Sequence, residues 1–103
     1  MVLTQRKLDL RTWYVLSLSN LELVPETSGV YWLGVDNNII YIGSSINLQD
    51  RLIAHYNTSD PCLSKARQFA IEPCSNYVER ERELLNAYLQ THGRLPDCND
   101  RIP

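Results

Sequence analysis

The chain has 103 residues, 44% of them hydrophobic and nine aromatic, enough for one compact domain with a modest core and too few for two. Ten Lys+Arg against twelve Asp+Glu give a formal charge of -2, which excludes a global basic field and argues against tight DNA binding by this domain alone. Three cysteines, Cys62, Cys74 and Cys98, are an odd count at wide spacing with no CxxC pair, so neither a disulfide framework nor a zinc ribbon is expected.

Near Met1, the charges of Arg6, Lys7, Asp9 and Arg11 interrupt any signal-like apolar run, and no segment approaches the ~20 apolar residues of a membrane span. A soluble chain in a reducing, cytoplasmic setting is expected. The N-terminal third, through "RTWYVLSLSNLELVPETS", mixes apolar periods and suits a short helix followed by a loop, with Pro25 interrupting it. "GVYWLGV" (Gly29 to Val35) and "IIYIG" (Ile39 to Gly43) are rich in β-branched and aromatic residues and flank "DNN", which predicts a β-hairpin. "NLQDRLIAHY" predicts a helix capped by Asn47, with Asp50 in its first turn and Leu48, Leu52 and Tyr56 as its buried stripe. "ARQFAIEPC" (Ala66 to Cys74) reads as a third strand ended by Pro73. A second helix follows over "NYVERERELLNAYL" (Asn76 to Leu89), and "HGRLPDCNDRIP" closes the chain as a Gly- and Pro-punctuated loop.

Because strand side chains alternate faces, Tyr31 and Tyr41 share a face only if paired residue numbers sum to an even value. A three-residue loop of Asp36, Asn37 and Asn38 pairs Val35 with Ile39, Leu33 with Tyr41 and Tyr31 with Gly43. The two tyrosines are then diagonal neighbours at roughly 7–8 Å. A two-residue Asn37-Asn38 turn would instead place them on opposite faces. The simpler alternative is that strand tyrosines only cover core and keep their hydroxyls wet. On the next helix Arg51 and His55 lie four residues apart, hence on one flank, where each alone would also suit a solvated role.

The second helix contains a carboxylate on its apolar side. At about 100° per residue, Tyr77, Val78, Leu84, Leu85 and Tyr88 fall within about 60° of Glu81, whereas Glu79 and Glu83 point about 160° away. A buried carboxylate without a partner costs several kcal/mol. Its position therefore calls for a cation, an arginine such as Arg51 or Arg67, a hydrogen-bonded niche, or an opening to solvent at a cleft edge. A zinc site built from Cys62, Cys74, His92 and Cys98 is disfavoured, because these spacings lack the close ligand pairs of structural zinc motifs.

"GVY", then "YIG" ten residues on, Arg51 ten after Tyr41, "ExxLL" from Glu81 and "PxxN" from Pro96 to Asn99 form an ordered set that resembles the GIY-YIG endonuclease family. The resemblance spans Gly29 to Asn99, within a single domain over residues 1–103 whose first 28 residues are an extension of uncertain structure. It implies an α/β fold of α+β type, with a small three-stranded antiparallel sheet flanked by helices. It also implies hydrolysis of DNA phosphodiesters with a divalent metal, Mg2+ or Mn2+. By the same resemblance Glu81 is the sole protein metal ligand and Tyr31 the candidate general base. Tyr41 and Arg51 engage the phosphate and Asn99 steadies the site; Ser44 and Ser45, directly after the YIG glycine, join Arg51 and Asn99 on the substrate side.

The chemistry is consistent with these residue types. Magnesium keeps most of its waters and often takes only one or two carboxylates, so a single glutamate is a reasonable anchor. Arg51 supplies a planar, permanently charged fork for phosphate oxygens, and His55, with an ordinary pKa near 6.5, can move a proton or orient water. A tyrosine with an ordinary pKa of about 10 is a poor base unless a positive field lowers it or it passes its own proton onward.

The chain also departs from the family pattern. Many members carry lysine where this chain has Ser44, and the stretch between Leu85 and Pro96 is a few residues long for the family. A catalytic module of net charge -2 is expected to bind DNA weakly, with a shallow salt dependence. It would then rely on a separate DNA-binding partner, a homodimer, or branched or single-stranded DNA. The alternative in a different class is a catalytically weak or inactive module that binds nucleic acid or protein through the same cleft.

Overall fold

The computed structural model describes residues 7–103; Met1 to Arg6 of the N-terminal extension lie outside the described residues. The strand β2 (Gly29–Val35) is buried along all but its last residue. It pairs with β3 (Asn38–Ser45) on one side and β4 (Gln68–Pro73) on the other, and helices cover both faces. A near-continuous apolar run is what such a two-sided strand requires. The sheet is antiparallel throughout, in the order β1-β4-β2-β3.

The sheet thus has four strands where three were expected. The addition is β1 (Tyr14–Val15), paired to Phe69 and Gln68 of β4. Two residues are too short to show a period in the sequence. The expected N-terminal helix is the single turn α1 (Leu18–Leu21), with Ser17 Oγ accepting from the Asn20 N–H at 3.3 Å.

One side of the sheet carries α1 and α2 (Leu48–Tyr56), packed through Leu21, Leu33, Leu48, Leu52 and Phe69. The other carries α3 (Tyr77–His92), packed through Leu85 onto Val30, Trp32, Ile42 and Ala70. Asn47 caps α2 by accepting from the Asp50 N–H at 3.1 Å, as its position predicted. Tyr56 does not complete the buried stripe: it ends the helix and is 42% exposed. Helix α3 continues three residues beyond Leu89 and stops at Gly93, whose φ of 72° is the left-handed cap conformation.

The hairpin reaches the expected register by an unexpected route. Asp36 and Asn37, at φ 52° and 64°, form a two-residue turn that pairs Val35 with Asn38 and Gly34 with Ile39. That register alone would separate the tyrosines. A bulge between Leu33/Gly34 and the facing strand then restores Leu33 opposite Tyr41 and Tyr31 opposite Gly43, with Ile40 as the extra residue.

Cys62 and Cys98 form a disulfide, with Cα atoms 5.7 Å apart, contrary to the expectation from the odd count. The count resolves into one bridge and free Cys74, and the cysteine argument for a reducing compartment loses its basis. Sequence spacing could not show this pairing, because the partners have a sequence separation of 36 and only the return of the C-terminal segment to β3 brings them together. Among the described residues no helix is long and apolar enough to cross a membrane.

Candidate active site

The bulged register places Tyr31 and Tyr41 on the α2 side of the sheet, with ring centroids 6.1 Å apart. His55 completes a three-ring cluster, 5.3 Å from Tyr31 and 5.5 Å from Tyr41. Gly43 is required for this cluster: a Cβ there would lie 2.5 Å from both Cζ and the hydroxyl of Tyr31 and 2.8 Å from Cε2 of Tyr41.

Within the cluster the Tyr31 hydroxyl and His55 Nε2 are 2.7 Å apart. Burial, then the neighbouring Arg51 guanidinium, push the His55 pKa down to about 4, so the imidazole is neutral near pH 7. Tyr31 is almost fully buried. Burial, followed by Tyr41, raises its pKa well above the ordinary phenol value, with Arg51 acting in the opposite direction. Burial and the Glu81 carboxylate raise that of Tyr41 as well. A standing phenolate at Tyr31 is therefore disfavoured, whereas a phenol hydrogen-bonded to a neutral imidazole can pass its proton on while accepting another.

Arg51, one turn before His55, is exposed, and among the described residues its guanidinium has no hydrogen-bond or ion-pair partner. It is available to bind an anion.

Glu81 comes from the opposite side of the sheet. It is one of the two buried residues of α3, beside Leu85, and is 9% exposed. Val78, inside the same angular arc, is 49% exposed, so the buried stripe is narrower than helix periodicity suggests. Ser44 Oγ donates to Glu81 Oε1 at 2.7 Å. The other oxygen, Oε2, has no hydrogen-bond partner among the described residues, yet no buried side-chain oxygen is unsatisfied, so Oε2 keeps access to solvent.

Glu81 and Tyr41 line a cleft of about 200 Å³, together with Asn99, Asp100 and Arg101 of the C-terminal segment. Asn99 holds this segment to the edge of β3: its Oδ1 accepts from the Ile42 N–H and its Nδ2 donates to the Ile42 carbonyl, both at 2.9 Å. Both ends of its amide are thereby committed to backbone. Ser45 is also committed locally, donating to the Asn47 carbonyl at 2.9 Å and accepting from the Asn47 N–H at 3.0 Å. Asp100 and Arg101 were not among the candidates from sequence, since a loop has no periodicity to reveal which way it faces. Their only signal was adjacency to Asn99.

Among the described residues no group of three or more His, Cys, Asp or Glu could hold a metal ion, so no closed protein cage is present. The donor set fits a hard cation that keeps most of its waters and takes one carboxylate oxygen. Glu81, which lines the cleft, has one such oxygen, Oε2, without a protein hydrogen bond among the described residues.

The model of the GIY-YIG catalytic domain matches residues 28–93. This chain belongs to the GIY-YIG family. No curated protein matches it. Solved structures of the GIY-YIG N-terminal endonuclease domain of UvrC from Thermotoga maritima share its fold. The magnesium-bound form has a TM-score of 0.59 and 22% identity, over 79% of this chain and 92% of that one. A tyrosine-to-phenylalanine point mutant of that domain, bound to its catalytic divalent cation, has a TM-score of 0.60 and 22% identity, over 81% and 93%. An asparagine-to-alanine point mutant, also bound to its catalytic divalent cation, gives 0.61 and 22%, over 81% and 93%. The GIY-YIG match ends at residue 93, so Asn99 and the wall it anchors lie beyond the matched stretch.

Proposed function

We propose that this GIY-YIG domain is a metal-dependent endonuclease that hydrolyses DNA phosphodiester bonds, with Glu81 as its single protein ligand to Mg2+ or Mn2+. The observation that carries the reading is the convergence on Tyr41: its ring adjoins the Tyr31–His55 pair, and it also lines the cleft that holds Glu81. A proton-transfer pair and an accessible carboxylate thus meet at one edge of the sheet.

Each side chain has a role in this scheme. Tyr31 accepts the proton of the attacking water as its own hydroxyl proton passes to His55 Nε2, which avoids a free phenolate. Arg51 binds the nonbridging oxygens of the scissile phosphate with its planar fork, and Tyr41 orients that phosphate through its hydroxyl. Arg101, exposed at the Glu81 cleft, supplies a second cation in a site where position 44 is a neutral serine. Ser45 and Asn99 act on the substrate indirectly, by fixing the backbone around β3. When bound at Glu81, the divalent ion would stabilise the negative charge that develops on the phosphate and leaving oxygens.

The competing reading is a catalytically weak or inactive module that binds nucleic acid or a protein; the neutral Ser44 and the net charge of -2 favour it. Branched and single-stranded DNA are the preferred substrate candidates, because a near-neutral domain neutralises few duplex phosphates. The test is a cleavage panel of supercoiled, branched and single-stranded DNA with Mg2+, Mn2+ or chelator, run beside Glu81→Gln. Cutting that requires metal and disappears in Glu81→Gln is expected. Absence of metal-dependent cutting on every substrate would overturn the endonuclease reading in favour of the weak or inactive binding module.

A further inference from the structure

Two carboxylates at this end of the sheet are treated differently. Glu72 on β4 is held by Arg80, whose Nε and Nη2 reach its two oxygens at 2.6 and 3.2 Å. The guanidinium holds its carboxyl below the ordinary carboxylate range. Glu81, the more deeply buried of the two, has no ion pair among the described residues. Its one protein hydrogen bond is from a neutral hydroxyl, that of Ser44, at 2.7 Å to Oε1.

An ionised carboxylate accepts hydrogen bonds and cannot donate them, so Ser44 must be the donor and the bond has a fixed direction. A glutamate on a helix has three side-chain torsions to settle, and a short donor on a strand removes most of that freedom. The strand itself is fixed nearby: Asn99 bonds both polar backbone groups of Ile42, and the Cys98 N–H donates to the Ile40 carbonyl at 2.8 Å. A neutral partner orients the carboxylate without cancelling its charge, whereas an arginine would do both.

We propose that Ser44 is a positioning residue that holds the Glu81 carboxylate by Oε1, so that Oε2 faces the cleft as the acceptor for a divalent cation. This rests on the reading of Glu81 as the metal ligand. Outer-shell hydrogen bonds of this kind set ligand orientation, and their loss typically weakens metal binding by about 10–100-fold.

The experiment measures Mn2+ affinity by the loss of the free-ion EPR signal for the unaltered chain, Ser44→Ala, Ser44→Thr and Glu81→Gln, each with a thermal melt. Ser44→Ala is expected to lose about tenfold or more in affinity, with its melting transition still cooperative. Ser44→Thr keeps the hydroxyl and is expected to restore the affinity, which a role in packing alone would not produce. Equal affinity in Ser44→Ala and the unaltered chain would overturn the inference while leaving Glu81 as ligand intact, as would a Ser44→Thr variant as weak as Ser44→Ala. If Glu81→Gln binds Mn2+ as tightly as the unaltered chain, the reading of Glu81 falls and the role of Ser44 with it.

Discussion

The Tyr31 hydroxyl lies 2.7 Å from Nε2 of His55, a contact that joins strand β2 to the last turn of α2. With the imidazole as its Nδ1–H tautomer, a phenol whose burial disfavours ionisation has a proton acceptor at hand. If the pair works as a unit, Tyr31→Phe and His55→Ala should each lower kcat by about 10²–10⁴-fold, the usual contribution of general acid–base catalysis. The double variant should be little worse than either single one. Single-turnover cleavage of a structured DNA checks this, and fully additive losses would separate the two residues.

His55 also ties stability to pH. Its pKa is lowered from 6.5 to about 4 in the folded protein by burial and by Arg51. Between those values the unfolded chain binds more protons than the native one, so stability rises with pH across that window. The contribution is fully present above about 6.5 and is lost as the pH falls toward 4. Thermal melts should show the unaltered chain losing more stability over that interval than His55→Gln, which cannot titrate.

Arg51 acts on both substrate and imidazole. Arg51→Ala should reduce cleavage by about 10²–10³-fold, as for loss of one preorganised donor to a developing oxyanion. Arg51→Lys should recover only part of that, since it restores charge without the fork. In Arg51→Ala the His55 pKa should also move up from about 4, because a repelling cation has gone. An NMR titration of the imidazole measures that shift without any substrate.

Gly43 opposes Tyr31 across the hairpin. Gly43→Ala puts a Cβ 2.5 Å from the Tyr31 hydroxyl, and since the tyrosine is locked in the core, the ring or the strand must shift. The expected cost is about 1–3 kcal/mol of stability, typical of overpacking, with cleavage falling to the level of Tyr31→Phe. Urea denaturation and the cleavage assay give the two numbers.

The Cys62–Cys98 bridge closes a loop with a sequence separation of 36 residues. Its removal by reductant, or by Ser at both positions, should cost about 2–4 kcal/mol, the usual range for a native disulfide. Urea unfolding with and without dithiothreitol checks this. An unchanged midpoint would mean that the hydrogen bonds of Cys98 and Asn99 to β3 suffice to hold the segment.

The sequence by itself determined the parts that local chemistry dictates. The β-branched runs around a polar turn required the hairpin, and Asn47 with its apolar spacing required α2. The angular position of Glu81 showed that a carboxylate is carried into the packed side of α3, and the ordered motifs were sufficient to point to the family. Tertiary structure alone decided the rest. A bulge has no residue signature, so the turn looked three residues long and the true two-residue turn became visible only once both strands were paired. Strand β1 depends on β4 for its existence, and the disulfide depends on a chain reversal remote in sequence. Sequence reading placed Ser44 beside the substrate, yet its hydroxyl is spent on Glu81. That direction was set by how closely β3 and α3 pack, and spacing along one chain carries no information about a distance between two elements.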